Sequence, residues 1–386
     1  MNDQRRAWAY LSRVVEPPCA ELSALATRVG PVEAAERLRC GAVSDRLAGL
    51  TEARRDIDCA TDDLDRVERI GGRLLTPEDD EWPVLSFTSF GGVDVRRLRD
   101  GFAPLALWVL GSAAVGEVAL RAAAVIGTRA ATSYGEHVTA DIAEGLAEHD
   151  VTVVSGAAFG IDGAAHRAAL AAEGCTVAVL AGGVDVPYPA GHSALLHRIR
   201  RTGLVVSEYP PGVRPARHRF LVRNRLVAAL SGATVVVEAG LRSGAANTAA
   251  WARALGRVVC AVPGPVTSSA SAGCHVLIRQ GAELITRADD VVEIVGRAGE
   301  FADEPKHPSS PLDGLSDDER RVYEALPGRG ARSADELSIE SGLPIATLQG
   351  QLALLELAGL VAQSDGRWRL SKTPRPAKSG RVLKPV

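Results

Sequence analysis

The sequence has 386 residues, 46% hydrophobic and 24% charged, which is an ordinary globular balance and enough chain for two or three domains. Lysine and arginine number 44 against 47 acidic residues, and the net charge of −3 does not point to a nucleic-acid partner. The lack of an uncharged apolar run of about 18 residues excludes a membrane span, and the polar residues 1–10 argue against a secretory signal, so we expect a cytoplasmic protein.

The six cysteines are scattered along the chain, and no two of them form a Cys-x-x-Cys pair. Zinc sites and disulfide frameworks use closely spaced cysteines, so neither is expected. The pattern instead predicts small buried side chains in a reducing compartment.

Residues 1–72 predict a small helical domain. Apolar residues recur at helical spacing at Trp8, Leu11 and Val14, and again from Leu22 onward. Glycine and proline separate the helical stretches, and no strand-like run occurs among them.

Residues 73–296 predict an α/β domain with a Rossmann-like parallel sheet. From residue 122 onward, short apolar runs alternate with alanine-rich stretches of helical periodicity. Continuous apolar strands that alternate with helices are typical of a parallel sheet covered on both faces. The predicted strands are residues 122–126, 151–154, 176–180, 204–206, 234–237 and 257–262.

The last part of the chain predicts a linker, a small domain and a tail. Residues 297–312 are polar and contain prolines, as linkers do. Residues 313–371 contain three helical stretches and a hairpin around Asp365-Gly366, the element order of a winged helix. Residues 372–386 hold five basic and no acidic side chains, which predicts a disordered basic tail.

The segments that follow the predicted strands are the candidate site, because ligands of open parallel sheets bind at the carboxyl ends of the strands. Glycine in such loops lets backbone N–H groups approach an anion. A single glycine-rich loop is explained as a tight turn, but five on one edge favour phosphate binding. The five segments are residues 127–129, 155–162, 181–185, 238–244 and 263–265.

No nucleotide-binding signature accompanies these loops. The Gly-x-Gly-x-x-Gly pattern is absent after the strand at 122–126, and no Walker P-loop occurs in the chain. We therefore expect no NAD, ATP or other cofactor and no metal. Arg129 and Arg242 lie within the loops, which favours phosphates that are held without hydrolysis.

Arginine accounts for 40 of the 44 basic residues. A GC-rich genome explains the excess, but the arginines are unevenly placed. Residues 198–225 contain eight of them against one acidic residue, Glu208, together with Tyr209 and Phe220. Guanidinium groups beside aromatic rings suit single-stranded nucleic acid, although a solvated basic surface is the simpler interpretation of any single arginine.

The sequence offers no complete catalytic constellation. Glu238, at the end of a strand, has two open interpretations: an acid–base group, or a carboxylate that fixes a loop by accepting backbone N–H groups. His166 follows Asp162 by four residues on a predicted helix, a spacing that allows a local ion pair, and a structural role is favoured over that of a general base. Ser155 and Ser243 lack the Gly-x-Ser-x-Gly elbow of serine hydrolases.

Short motifs follow one another in a characteristic order over residues 120–285. They are Val125-Ile126-Gly127-Thr128-Arg129, Tyr134-Gly135, Ser155-Gly156 with Gly160-Ile161-Asp162 and Ala165-His166, Tyr188-Pro189, Ser207-Glu208-Tyr209-Pro210, Phe220 with Arg223-Asn224-Arg225, Val237-Glu238-Ala239 with Ser243-Gly244, and Val262-Pro263-Gly264. This order resembles that of the DprA/Smf family of DNA-processing proteins.

The resemblance implies an extended Rossmann fold that binds single-stranded DNA without catalysis, preceded by a SAM-like helical domain and followed by a winged helix. In this family the protein shields incoming strands in natural transformation, loads the RecA recombinase onto them and usually acts as a homodimer. Together, the loops and the resemblance predict DNA-binding residues at Gly127, Thr128, Arg129, Ser155, Gly156, Phe159, Gly160, Gly182, Arg223, Asn224, Arg225, Arg242, Ser243 and Gly244.

Two positions depart from the family pattern. Phe159 stands where the family often has a basic residue, which removes a phosphate contact and offers a ring for base stacking. Leu221 stands in place of the usual proline after Phe220.

Two alternatives remain at the level of sequence. A phosphoribohydrolase-like enzyme on a related fold is disfavoured because Pro265, rather than glycine, follows Pro263-Gly264. A duplex-binding winged helix is disfavoured because its third helix, residues 345–360, carries one charged residue, Glu356, and no arginine or lysine. We therefore predict weak duplex binding and a role in protein contact for that domain.

Overall fold

The computed structural model describes residues 3–94, 98, 100–296 and 315–371. They fall into two compact units, one within residues 1–302 and one within residues 303–386. The predicted linker and the predicted basic tail both lie outside the described residues.

Five helices begin the first unit: α1 Asp3–Val14, α2 Ala20–Val29, α3 Pro31–Arg39, α4 Asp45–Thr51 and α5 Ala60–Arg69. Trp8, Leu11 and Val14 are buried, as the helical spacing predicts. These helices share a hydrophobic cluster with Trp108 and Val205 of the neighbouring sheet. The helical region and one face of the sheet therefore form a common core, and a domain boundary at residue 72 stays a prediction.

A nine-stranded sheet forms the centre of this unit. Its strands are β1 Gly72–Leu75, β2 Leu107–Leu110, β3 Ala122–Ile126, β4 Thr152–Ser155, β5 Thr176–Leu180, β6 Leu204–Ser207, β7 Ala233–Val236, β8 Val258–Ala261 and β9 Glu283–Leu284. The six predicted strands are confirmed and pair in parallel. The antiparallel edge of β1 and β2 is not predicted. β1 has only two apolar residues, and the four apolar residues of β2 do not distinguish a strand from a buried turn of helix.

Helices cover both faces of the sheet. One face carries α8 Ser133–Glu148, α9 Ile161–Ala171, α10 Ser193–Thr202 and α14 Ala288–Val295. The other face carries α6 Val84–Thr88, α7 Val115–Leu120, α11 Arg217–Ala229, α12 Gly244–Ala254 and α13 Ala272–Arg279. Short 3-10 turns lie at Ser89–Gly92 and Ala190–His192.

The strand order reverses at β3. Across the sheet the order is β1-β2-β6-β5-β4-β3-β7-β8-β9, so the chain builds outward from β3 on one side and returns through α11 to β7 on the other. A crevice forms where such a reversal occurs, outside the carboxyl ends of the strands. The fold therefore brings the glycine-rich loops to the edge where a ligand is expected.

The second unit is the predicted winged helix. It contains α15 Asp317–Ala325, β10 Arg332–Ser333, α16 Ala334–Ser341, α17 Ile345–Leu357, β11 Val361–Ser364 and β12 Arg367–Leu370. The strands form an antiparallel sheet in the order β10-β12-β11. Leu337, Leu348, Leu352 and Leu355 are buried between the helices and the sheet.

The cysteine prediction is only partly right. All six thiols are free, and Cys19, Cys260 and Cys274 are buried. Cys40 is exposed, because it follows the last turn of α3 where the chain leaves the core. Burial raises the pKa of the Cys274 thiol to about 11, which keeps it protonated and unreactive.

No helix in the described part of the chain is both long and apolar enough to cross a membrane. Within the same residue ranges, no group of three or more His, Cys, Asp and Glu side chains is arranged to hold a metal ion.

Candidate functional site

A cleft of about 320 Å³ opens where the strand order reverses. The loops after β3 and β4, the helix α11 and the amino-terminal end of α12 form its walls. Eight of the predicted DNA-binding residues line this switch-point cleft: Gly127, Thr128, Arg129, Gly156, Arg223, Asn224, Ser243 and Gly244.

A smaller opening of about 50 Å³ adjoins the cleft and shares Arg129 and Gly156 with it. We call it the aromatic subsite, because Phe159, Tyr188 and Phe220 line it. Phe159 and Tyr188 are 50% and 45% exposed, so part of each ring is accessible to a ligand in the subsite. Gly182, which is also a predicted DNA-binding residue, lines the subsite as well.

The rings of the subsite are held by their neighbours. Phe159 packs edge-on against His192 with centroids 4.7 Å apart, and the Tyr188 and Phe220 centroids lie 5.3 Å apart. The Arg129 guanidinium lies 5.5 Å from the centroid of Phe220. Ring faces for bases and a cation for a phosphate therefore lie side by side.

Arg223 is a fixed cation at the floor of the cleft. Its side chain is buried and donates a hydrogen bond to the Val179 carbonyl, while its Nε has no partner among the described residues. Among the described residues no carboxylate forms an ion pair with it, and Asp162 acts on it through longer-range electrostatic attraction. Burial lowers the pKa of Arg223 to about 10, with Asp162 opposing the shift, so the group stays charged at neutral pH.

Two glycines are required by close approaches at this floor. A Cβ on Gly156 would overlap the Arg223 guanidinium. Gly160 has φ +73°, and a Cβ there would overlap the Thr128 carbonyl. Gly160 itself lines neither opening; it lets the loops after β3 and β4 lie against each other.

Helix ends add partial positive charge to the cleft. α12 begins there, with the Ser243 hydroxyl accepting a hydrogen bond from Ala246 N at 3.4 Å. α9 begins at the loop after β4, where Asp162 accepts hydrogen bonds from Gly156 N and Ala158 N at 3.2 and 3.3 Å. Asp162 already supplies an anion at the start of α9, whereas the start of α12 carries no acidic side chain, so the α12 end of the cleft suits phosphate.

Besides Gly160, three predicted site residues line neither opening. Ser155 is buried and donates a hydrogen bond to the Val125 carbonyl at 2.7 Å. Arg225 is completely buried, and its Nη2 donates to both oxygens of Glu208 at 2.7 and 2.6 Å. Arg242 is exposed on the loop before α12. We leave Ser155 and Arg225 out of the proposed DNA surface.

Helix geometry explains the difference between Arg223 and Arg225. Both lie on α11, where residues two positions apart point to different sides of the helix. When Arg223 faces the cleft, Arg225 therefore faces the core. The Arg-Asn-Arg motif supplies one site cation and one structural cation.

The arginine-rich segment 198–225 does not form one groove. Arg198 and Arg201 are exposed on α10, which carries the chain about 15 Å back from the cleft edge. Arg223 lies on α11 at the floor of the cleft, and Arg219 lies on the first turn of the same helix. The arginines are therefore close together in the sequence, but the fold separates those on α10 from those on α11.

Glu238 fixes a loop. Its buried carboxylate accepts hydrogen bonds from the Thr132 backbone N–H at 2.9 Å and the Thr132 hydroxyl at 2.6 Å. Its backbone carbonyl accepts the Thr128 N–H at 2.7 Å. These three bonds hold the loop that carries Arg129, which supports the loop-fixing interpretation over acid–base catalysis.

The ion pair of His166 with Asp162 that the spacing allows does not form. His166 is buried, and its Nδ1 lies 2.7 Å from the Thr176 hydroxyl. That hydroxyl donates to the Val153 carbonyl, so Nδ1–H must be the donor to Thr176. Asp162 instead accepts backbone N–H groups at the start of α9. The helical spacing is correct, but the partner of His166 is Thr176 on the neighbouring strand β5.

Stability is expected to fall in mild acid because of His166. Burial lowers the pKa of His166 to about 3, against about 6.5 in an unfolded chain. Between these values only the unfolded state binds the proton, so the free energy of unfolding decreases by up to about 1.4 kcal/mol per pH unit below about 6.5. The contribution of His166 to the free energy of unfolding should therefore fall by about 2 kcal/mol between pH 7 and pH 5, which urea unfolding at the two pH values measures.

His166→Asn is the matched control for this effect, because its amide keeps a donor near the position of Nδ1 and does not titrate. The variant should lose the part of the pH dependence that His166 contributes. An unchanged difference between pH 7 and pH 5 in this variant would contradict the assignment.

Tyr188 and Asp162 belong to the site although the sequence does not predict them as site residues. Tyr188 lines the aromatic subsite, and Asp162 lines the cleft. The available signal is their presence in the Tyr188-Pro189 and Gly160-Ile161-Asp162 motifs. A motif shows that residues recur together, whereas only the fold shows which side chain faces a ligand.

The winged helix presents an apolar surface. Ile339 on α16 and Leu357 on α17 are 84% and 87% exposed. α17 contains no arginine or lysine, and exposed Arg367 and Arg369 lie on β12 instead. This surface lacks the polar contacts that a recognition helix makes to bases.

The fold and the cleft define a Rossmann-type protein with glycine-rich loops and fixed cations at the strand-order reversal, joined to a winged helix. A family model described as DNA recombination-mediator protein A matches residues 73–296, and one described as DprA winged helix domain matches residues 305–367. The chain belongs to the DprA/Smf family.

Relatives agree with this assignment over most of the chain. A Mycobacterium tuberculosis protein that carries the name DNA processing protein DprA is 69% identical over 365 residues, 95% of this chain and 94% of the relative. Protein Smf of Escherichia coli is 38% identical over 250 residues, 63% of this chain and 66% of the relative. The X-ray structure of DprA from Streptococcus pneumoniae superposes with a TM-score of 0.61 at 29% identity, covering 76% of this chain and 98% of that one.

Proposed function

We propose that this protein binds single-stranded DNA without catalysis, protects incoming strands and loads RecA onto them in recombination and natural transformation. The observation that carries the proposal is the placement of Arg129 and Arg223 at one cleft, beside the exposed rings of the aromatic subsite. Cations without carboxylate partners attract phosphate, and ring faces stack on any base. This combination favours a flexible strand over a base-paired one, whose bases are stacked inside.

The DNA surface that we propose comprises the residues of the two openings together with Arg242 on the adjoining loop. Phosphates would lie on Arg129, Arg223 and the backbone N–H groups at the start of α12. Bases would lie on Phe159, whose ring replaces a phosphate contact with a stacking contact. The affinity should therefore depend on salt less strongly than in a groove lined only by cations.

Anisotropy of labelled oligo(dT), titrated with the protein at several salt concentrations, tests the proposal. The logarithm of the affinity should fall with the logarithm of the salt concentration, with a slope of about −0.7 for each phosphate neutralised. An excess of duplex should compete poorly, because we propose protein contact rather than duplex binding for the winged helix. Absence of oligo(dT) binding at low salt would reject the function, and release of free base from a nucleoside monophosphate would support the phosphoribohydrolase-like alternative.

RecA loading and oligomeric state need separate experiments. We propose that the protein accelerates RecA assembly on strands already coated by a single-stranded DNA-binding protein, acts as a homodimer and works in the cytoplasm. RecA ATPase activity on coated strands, with and without this protein, measures loading. Sedimentation velocity measures the dimer. We also propose the domain division 1–72, 73–296 and 313–371, which limited proteolysis can test.

A further inference from the structure

A loop between β6 and α11, residues 208–216, forms one wall of the aromatic subsite. Its Pro215 lines the subsite, and its Val213 carbonyl accepts the Gly183 N–H at 2.8 Å, which ties the loop to the glycine-rich segment after β5. Phe220 follows in the first turns of α11. The position of this wall loop therefore sets the distance between the rings of the subsite.

The wall loop is held from outside by the N-terminal helical region. Arg13 on α1 donates to the Pro211 carbonyl at 2.8 Å. Arg66 on α5 lies 2.5 Å from Asp185, whose carboxylate also accepts the Gly212 N–H at 2.8 Å. Two helices of this region thus reach the wall loop through charged side chains.

Glu16, in the link between α1 and α2, makes the densest of these contacts. Its carboxylate binds Arg219 through two hydrogen bonds of 2.6 and 3.0 Å, and it also binds Arg54 at 3.0 Å and His218 at 3.2 Å. Arg54 belongs to the N-terminal region, whereas His218 and Arg219 form the first turn of α11. Burial alone would raise the pKa of Glu16, but the hydrogen bonds from Arg219 and Arg54 outweigh it and lower the pKa, so the carboxylate stays charged.

Arg219 links Glu16 to the wall loop, because it also contacts residues of that loop. Its side chain is only 13% exposed. It also donates to the Arg214 carbonyl at 2.7 Å and lies 4.9 Å from the centroid of Tyr209. A guanidinium held by a carboxylate, a carbonyl and a ring is fixed in position, and the turn of α11 that leads to Phe220 is fixed with it.

A carboxylate at this position is unfavourable for DNA binding if only charge is considered. Glu16 places a negative charge beside the first turn of α11 and pairs with Arg219, which reduces the positive charge that this turn offers to DNA. We infer that Glu16 is a positioning residue that holds the wall loop and α11 in the geometry that the aromatic subsite needs. The inference rests on the proposed function, since it assigns to the N-terminal helical region a part in single-stranded DNA binding.

Glu16→Gln separates the two effects because they have opposite signs. Loss of a negative charge alone should strengthen oligo(dT) binding, whereas loss of positioning should weaken it. We expect a weakening of about tenfold, with a salt slope equal to that of the unmodified protein because the same phosphates are neutralised. Glu33→Gln, which removes a carboxylate from the exposed Glu33–Arg37 pair on α3, is the matched control and should leave the affinity unchanged.

A double-mutant cycle tests the route through Arg219. If Glu16 acts through Arg219, the combination of Glu16→Gln and Arg219→Gln should bind no worse than Arg219→Gln alone. Additive losses would show that Arg219 contacts the DNA independently and would overturn the route. If Glu16→Gln fails to fold, Arg219→Lys replaces it: lysine keeps the charge but not the two-bond contact, and should show the same weakening.

The binding measurements distinguish a failure of the Glu16 inference from a failure of the proposed DNA-binding function. Equal or tighter binding by folded Glu16→Gln, while the unmodified protein binds, would overturn the inference and leave the proposed function intact. Failure of the unmodified protein to bind would reject the proposed function itself. Thermal unfolding of each variant checks that a weaker affinity is not a smaller folded fraction.

Discussion

Arg129→Gln is expected to weaken oligo(dT) binding by about thirtyfold, the loss of about 2 kcal/mol that follows removal of one charge-assisted contact to phosphate. Arg129 is the one predicted cation that lines both the cleft and the aromatic subsite. Its removal should also flatten the log–log salt dependence by about 0.7, since one phosphate fewer is neutralised. Fluorescence anisotropy at three or more salt concentrations measures both quantities.

Arg198→Gln is the matched control for that variant. Arg198 is an exposed arginine on α10, outside both openings, and its replacement makes the same change in net charge. A loss confined to Arg129→Gln would locate the phosphate contact. Equal losses in the two variants would mean that the whole basic surface attracts DNA without a defined site, which contradicts the proposed geometry.

Arg225→Met should destabilise the protein by about 3–5 kcal/mol, because it leaves the buried Glu208 carboxylate without its partner. Burial raises the pKa of Glu208, and Arg225 is the group that opposes this shift. Combining Arg225→Met with Glu208→Leu should restore most of the stability. Both charges are then gone, together with the Nε and Nη1 groups of Arg225, which have no partner among the described residues.

Urea unfolding of the single and double variants measures this effect, with Arg217→Met at the exposed start of α11 as the control. The folded double variant should bind oligo(dT) with an unchanged salt slope. A stable Arg225→Met variant with a flattened slope would instead restore Arg225 to the DNA surface.

The parallel core could be predicted because its strands are short continuous apolar runs and its ligand edge follows from topology alone. The runs at 122–126 and 176–180 match their strands residue for residue. Arg129 could be placed at the site for the same reason, as it directly follows β3. At these residues the local sequence pattern is enough to give both the secondary structure and the position in the fold.

Other features depend on contacts that no local pattern encodes. The pairing of Glu16 with Arg219 joins residues about two hundred positions apart, so their spacing carries no signal. Arg223 and Arg225 look equivalent in the motif and differ only through the face of α11 that meets the sheet. His166 bonds Thr176 on β5 rather than Asp162, whose carboxylate accepts backbone N–H groups at the start of α9 instead.

The core that the N-terminal helices share with the sheet limits how this protein can be shortened. The family model begins at residue 73, which makes that position an obvious place to start a fragment. Such a fragment would expose Trp108, Leu110 and Val205 to water, because the helices that cover these side chains would be missing. Contiguous apolar surface of that kind promotes aggregation. A recombinant fragment intended for DNA-binding measurements should therefore retain residues 3–69 and end after α14.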